Sequence, residues 1–157
     1  MWDVVTGKLL LDIYTGDFIT GLDFAPDGSR LAISNEDGFA PKNVSIWNLD
    51  YGRGIQSLRG LSGPVSKVCF SADGRRIAAL SHKWEVGVWE VWTGQLLRVF
   101  EAPRGEYADN AAMTFDSTGK HLAFSAGEKA KLWNIGSGSE LRSWDFPKRT
   151  RGCFGIQ

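Results

Sequence analysis

Apolar and polar side chains alternate in short stretches along this chain, with a period of two and with no run that requires the helical period of 3.6. Ile19, Leu22 and Phe24 open one series of stretches, and Val65, Val68 and Phe70 open a second with the same spacing. Asn110, Met113 and Phe115 open a third, in which Asn110 is the odd member. Each is followed by a second strand, Leu31-Ala32-Ile33, Ile77-Ala78-Ala79 or Leu122-Ala123-Phe124, whose alanines allow neighbouring sheets to approach closely. A third strand runs Val44 to Trp47, Val86 to Trp89 and Ala130 to Trp133, with Ser45, Gly87 and Lys131 interleaved. The pairs Asp27-Gly28, Asp73-Gly74 and Thr118-Gly119 tolerate positive φ and predict tight hairpins between first and second strands. Thr6-Gly7, Tyr51-Gly52, Thr93-Gly94 and Ser137-Gly138 do the same between third and fourth strands, here called c and d after a and b.

The elements recur. Trp2-Asp3, Trp47-Asn48, Trp89-Glu90 and Trp133-Asn134 lie 45, 42 and 44 residues apart, and the Phe24, Phe70 and Phe115 turns keep the same step. A period of about 40–45 residues holding four short strands is that of a β-propeller blade, which buries its faces only by stacking on neighbours. The expected fold is therefore all-β: a β-propeller of four-stranded antiparallel blades, with about three complete blades and partial strands at both ends. Residues 1–14 read as the end of strand c and strand d of a preceding blade, residues 15–59, 60–104 and 105–147 as three blades, and 148–157 as the start of another. Such a chain leaves an unpaired edge, which closure of a propeller normally removes. Further blades of the same polypeptide, or a second copy completing the ring, are the expected remedies.

Charge and composition narrow the function. Lys plus Arg and Asp plus Glu number 18 each, so no global field attracts nucleic acid or an acidic membrane. Cys69 and Cys153 are too few for a disulfide framework and read as ordinary thiols. No apolar run is long enough to span a bilayer, and no secretory signal opens the sequence, so membrane insertion is not expected and a cytoplasmic location is.

The Phe-x-Pro-Asp-Gly turn at Phe24, the Leu-Ala strand and the Val-x-Ile-Trp-Asn ending at Trp47, repeated in register, resemble the WD-repeat family across essentially the whole chain. The resemblance implies a rigid disc on which peptides or protein domains dock, seldom a catalyst. It also departs from the family. Tyr14-Thr15, Gly60-Leu61 and Gly105-Glu106 replace the usual Gly-His pair, and Pro41, Lys83 and Gly127 replace the usual aspartate. The hydrogen-bond network those residues build is thereby lost, and stability is expected from packing of Trp47, Trp89, Trp133, Phe24, Phe70 and Phe115.

Catalytic chemistry has little to stand on. His82 and His121 are the only histidines, no metal-ligand spacing is present, and Ser137-Gly138-Ser139 is a turn without a partner histidine. No cofactor is expected. Exposed loop aromatics and arginines are over-represented among binding hot spots. By the same resemblance the b–c and d–a loops share one face, which nominates Phe39, Lys42, His82, Trp84, Arg104, Glu106 and Tyr107 as protein-binding candidates, with folding back over the next blade the rival role for the aromatics. Trp92 and Tyr51, in c–d turns of the opposite face, read as covers of strand ends. The expected function is a non-catalytic scaffold binding a peptide or protein domain. The alternative is a sensor or regulatory domain of a larger enzyme such as a kinase or protease, and a propeller enzyme with a clustered axial site is the least supported.

Overall fold

The computed structural model describes residues 1–15, 18–36, 44–104 and 111–146. Twelve strands form three four-stranded antiparallel sheets, each a meander in chain order. The first holds β1 (Phe18–Phe24), β2 (Arg30–Glu36), β3 (Val44–Asn48) and β4 (Arg53–Leu58). In the second are β5 (Val65–Phe70), β6 (Arg76–Ser81), β7 (Glu85–Glu90) and β8 (Leu96–Glu101). The third consists of β9 (Ala112–Phe115), β10 (His121–Ala126), β11 (Lys129–Asn134) and β12 (Glu140–Asp145). The fold is the all-β, bladed architecture expected from the period, and the blades form an open array.

Local chemistry sets the hairpins. In the first, Asp27 accepts from the Ser29 amide at 2.9 Å and Gly28 takes φ +71°, which a glycine adopts without steric cost. Asp73 accepts from Arg75 in the same way in the second sheet. Every c–d pair carries a register shift immediately before its tryptophan, at Ile46/Trp47, Val88/Trp89 and Leu132/Trp133. A bulge adds twist and re-aims the side chain that follows it. Where Lys8 to Tyr14 reads as a d strand in the sequence, the structure forms only an isolated bridge between Trp2 and Leu9.

Strands β1, β5 and β9 line up at the inner edge, where β5 packs against both β1 and β9. Alternation gives each sheet two apolar faces, as a blade between neighbours requires. Ala32, Val44, Ile46 and Leu58 of the first sheet meet Ile77, Ala79 and Trp89 of the second, all buried. On the other face of the second sheet, Ala78, Leu80, Val86, Val88 and Phe100 meet Leu122, Phe124 and Trp133 of the third. The periodic tryptophans thus pack backwards, each on the preceding sheet. Trp89 is fully buried and Trp133 only 3% exposed. Trp47, with no sheet before its own among the described residues, is half-buried, and Trp2 is 64% exposed. The same logic grades the turn phenylalanines: Phe70 and Phe115 edge the two inter-sheet clusters, whereas Phe24 on the open side of the first sheet is 52% exposed.

Candidate interaction rim

The best-defined part of the b–c and d–a face joins the first and second sheets. The linker after β4 turns through Gly60 and Gly63, both at positive φ, and meets the β6–β7 connection. Ser62 donates through its amide and hydroxyl to the two carboxylate oxygens of Glu85, at 2.7 and 2.8 Å. The His82 amide donates to the Pro64 carbonyl at 2.9 Å, and the Trp89 indole N–H donates to the Arg59 carbonyl at 2.9 Å. Inside the connection, the Ser81 hydroxyl accepts from the amides of Lys83 and Glu85. These bonds replace the network that the absent histidine and aspartate would have made. Glu85 and Ser62 escape a reading by motif, because neither stands where the family pattern places a polar residue; an acid at the head of strand c was the one available signal.

Trp84 sits in the middle of this connection with φ +63°, the one non-glycine residue at positive φ among the described residues. Its amide donates to Ser81 and its carbonyl accepts from Ala102 at 2.8 Å, so the linker after β8 is tied to it as well. The side chain is half-buried, one side against the cluster between the second and third sheets and the rest open to solvent. His82, Lys83 and Arg104 are exposed beside or beyond it. Phe39, Lys42, Glu106 and Tyr107 lie outside the described residues. Glu85, held by two donors, is occupied in structure, and among the described residues no group of three His, Cys, Asp or Glu side chains could hold a metal ion.

On the opposite face the two turn aromatics, Trp92 and Tyr51, stand over the heads of β2 and β4 with their rings largely open. Trp92 is 69% exposed and Tyr51 73% exposed. The Arg30 guanidinium lies 3.9 Å above the Trp92 ring, joining first and second sheets, and Arg53 approaches the Tyr51 ring at 5.5 Å. There too, His121 faces Asp116 at 3.1 Å. Burial would raise the pKa of Asp116, but the Thr118 hydroxyl together with the His121 amide and ring outweigh it and hold the carboxyl well below the usual range. The two end faces carry shallow grooves of about 390 Å³ beside Trp47 and about 160 Å³ beside Trp144.

No family model matches the chain. It is 28% identical to human apoptotic protease-activating factor 1 over 92% of its own length and 12% of that protein's. It is 33% identical to human WD repeat and SOCS box-containing protein 1 over 58% of its length and 21% of that protein's. A WD repeat-containing protein of Schistosoma mansoni, SL1-17, is 38% identical over 52% of the chain. The chain spans between an eighth and about a quarter of the length of these curated relatives. Its fold superposes on the solved structure of U3-55K with a TM-score of 0.71 over 88% of the chain and 42% of that structure, at 21% identity.

This chain is a β-propeller segment similar to WD-repeat proteins. The bladed fold explains why the tryptophan, the bulge before it and the Asp-Gly or Thr-Gly turn recur together, since each blade presents one aromatic backwards and one small-residue face forwards. Two of these three relatives are named for WD repeats.

Proposed function

We propose that this segment is a non-catalytic platform that docks a peptide or protein domain through the b–c and d–a rim, with Trp84 as the anchor and His82, Lys83 and Arg104 around it. The observation that carries this reading is the backbone of Trp84. A bulky residue at φ +63° costs about 1–3 kcal/mol, which a glycine there would avoid, and such strain concentrates at recognition sites. Ser81 and Ala102 hold its backbone and the linker after β4 holds its neighbours His82 and Glu85, so little freedom is lost when a partner docks.

The test is peptide selection. Peptides selected from a random library on the folded chain should lose binding to Trp84→Ala while binding Trp92→Ala unchanged, with both variants melting as cooperative units. Peptides that track Trp92 and ignore Trp84, or a Trp84→Ala variant that unfolds without cooperativity, would remove the anchor from this rim.

A second reading is supported by the likeness to apoptotic protease-activating factor 1 along 92% of the chain. In that reading the segment is the regulatory part of a larger enzyme-controlling protein, and the same rim receives the activating signal. Loss of a partner-dependent activity on replacing Trp84 in the longer polypeptide would favour it.

A further inference from the structure

Trp84 stands between two cations that belong to different joints of the molecule. Lys83 precedes it, and its stem lies on the linker between the first and second sheets, where a Cβ on Gly63 would come within 3.0 Å of Lys83 Cγ. Arg104 is on the other side, in the linker between the second and third sheets, two residues beyond the Ala102 amide that donates to the Trp84 carbonyl. Along the rim the order is therefore base, indole, base. Arg59 extends the series: it is exposed on the linker after β4, and its carbonyl is fixed by the Trp89 indole N–H.

The acids nearby do not neutralise these charges. Both carboxylate oxygens of Glu85 are taken by Ser62. At the adjoining end of the third sheet Lys129 and Asp145 face each other at 3.8 Å. Glu101, exposed and paired in register with Glu85, is the acid at this end of the second sheet that accepts no bond among the described residues. Lys83 and Arg104 are both exposed and form no ion pair among the described residues. Between them the Trp84 ring rests on the cluster between the second and third sheets, which fixes the indole and leaves part of it open.

We propose that this rim takes an acidic segment of a partner protein, in which carboxylates on either side of one apolar residue meet Lys83 and Arg104 while that residue lies on Trp84. The proposal rests on the reading of Trp84 as the anchor and names the chemistry of what it anchors. Contact with the indole supplies the affinity, and the two exposed pairs steer the approach and fix the register, as charges at the edge of an interface do. A short peptide segment fits better than a nucleic acid, because Lys plus Arg and Asp plus Glu are equal at 18 each and the excess of base is confined to a few residues.

The probes are peptides selected from a random library on the folded chain that lose binding to Trp84→Ala. They should carry Asp or Glu on both sides of an apolar residue, and replacing those acids by Asn or Gln should weaken binding by about tenfold or more. Raising the salt from about 0.1 to 1 M, which shortens the Debye length from about 10 to 3 Å, should weaken the parent peptides and leave their amide versions nearly unchanged. Lys83→Glu and Arg104→Glu should each weaken binding by about fivefold, whereas Arg142→Glu, the same change at an exposed position of β12, should not. All three variants should melt like the wild type. Selection repeated on the doubly reversed chain should return basic peptides. Trp84-dependent peptides without acids, or acidic ones that bind the Lys83→Glu and Arg104→Glu chains like wild type, would overturn the acidic partner and leave the anchor in place. A selection that returns no Trp84-dependent peptide would remove both.

Discussion

The rings of Phe100 and Trp133 stack 4.9 Å apart at an interplanar angle of 17°, across the boundary between the second and third sheets. Phe124 approaches the same indole at 6.2 Å, tilted by 33°. Aromatic pairs in this range add about 0.5–1.5 kcal/mol beyond the area they bury. Trp133→Ala should therefore cost about 3–5 kcal/mol, and Trp133→Phe less than half of that. Urea unfolding followed by circular dichroism measures both; equal losses would mean that the stack itself contributes nothing.

Gly87 is present for space. Its φ is ordinary, but a Cβ there would stand 2.2 Å from the buried Trp89 ring, which cannot swing aside between two sheets. Gly87→Ala should destabilise by about 1–3 kcal/mol through overpacking, despite the better strand propensity of alanine. The equivalent position of the first sheet carries Ser45, whose hydroxyl accepts from the Trp47 indole at 3.0 Å, so Ser45→Ala should be much milder. A chemical-denaturation midpoint for each variant gives the comparison.

Acid should loosen the third sheet through Asp116. Because its carboxyl titrates below the unfolded value of about 3.9, the stabilisation is complete above that pH and is lost as pH falls through the folded-state pKa. The melting temperature of the wild type should fall more steeply below about pH 4 than that of Asp116→Asn, which starts lower and lacks this contribution. Parallel curves would show that the turn carries no such linkage.

Cys69 should behave as an inert thiol. Burial, with the charge of Asp23 adding to it, pushes the thiol up to about 12, so the thiolate is scarce at neutral pH. Iodoacetamide at pH 8 should leave it unmodified in the native chain and modify it in urea, as intact-mass and peptide mapping would report. Labelling of native Cys69 at the rate of a free thiol would contradict the packing between the second and third sheets.

Period-two alternation, the Gly-containing turns and the 42–45-residue step made the strands and their order legible without coordinates, because those signals depend on neighbours a few residues away. Trp89 and Trp133 could be read as core for the same reason. The rim was legible only in outline. Trp84 stood out as an aromatic among charges, but its left-handed backbone depends on bonds to Ser81 and Ala102 that form only in the fold. The Ser62–Glu85 bond joins residues 23 apart in chain and follows no family pattern.

Sequence alone decided that this protein is built of repeated four-stranded units with a tryptophan at the end of each third strand, since hydrophobic period and turn chemistry are local properties. Only the tertiary structure decided which way those tryptophans face and how exposed each one is. Burial depends on whether a neighbouring sheet is present, which is why identical positions give a buried Trp89, a half-buried Trp47 and an exposed Trp2. The bonds of Gln56 to the Val91 carbonyl and of Arg98 to the Gly136 carbonyl, each between neighbouring sheets, belong to the same category, because their partners are carbonyl groups that every residue carries and only folding brings within reach.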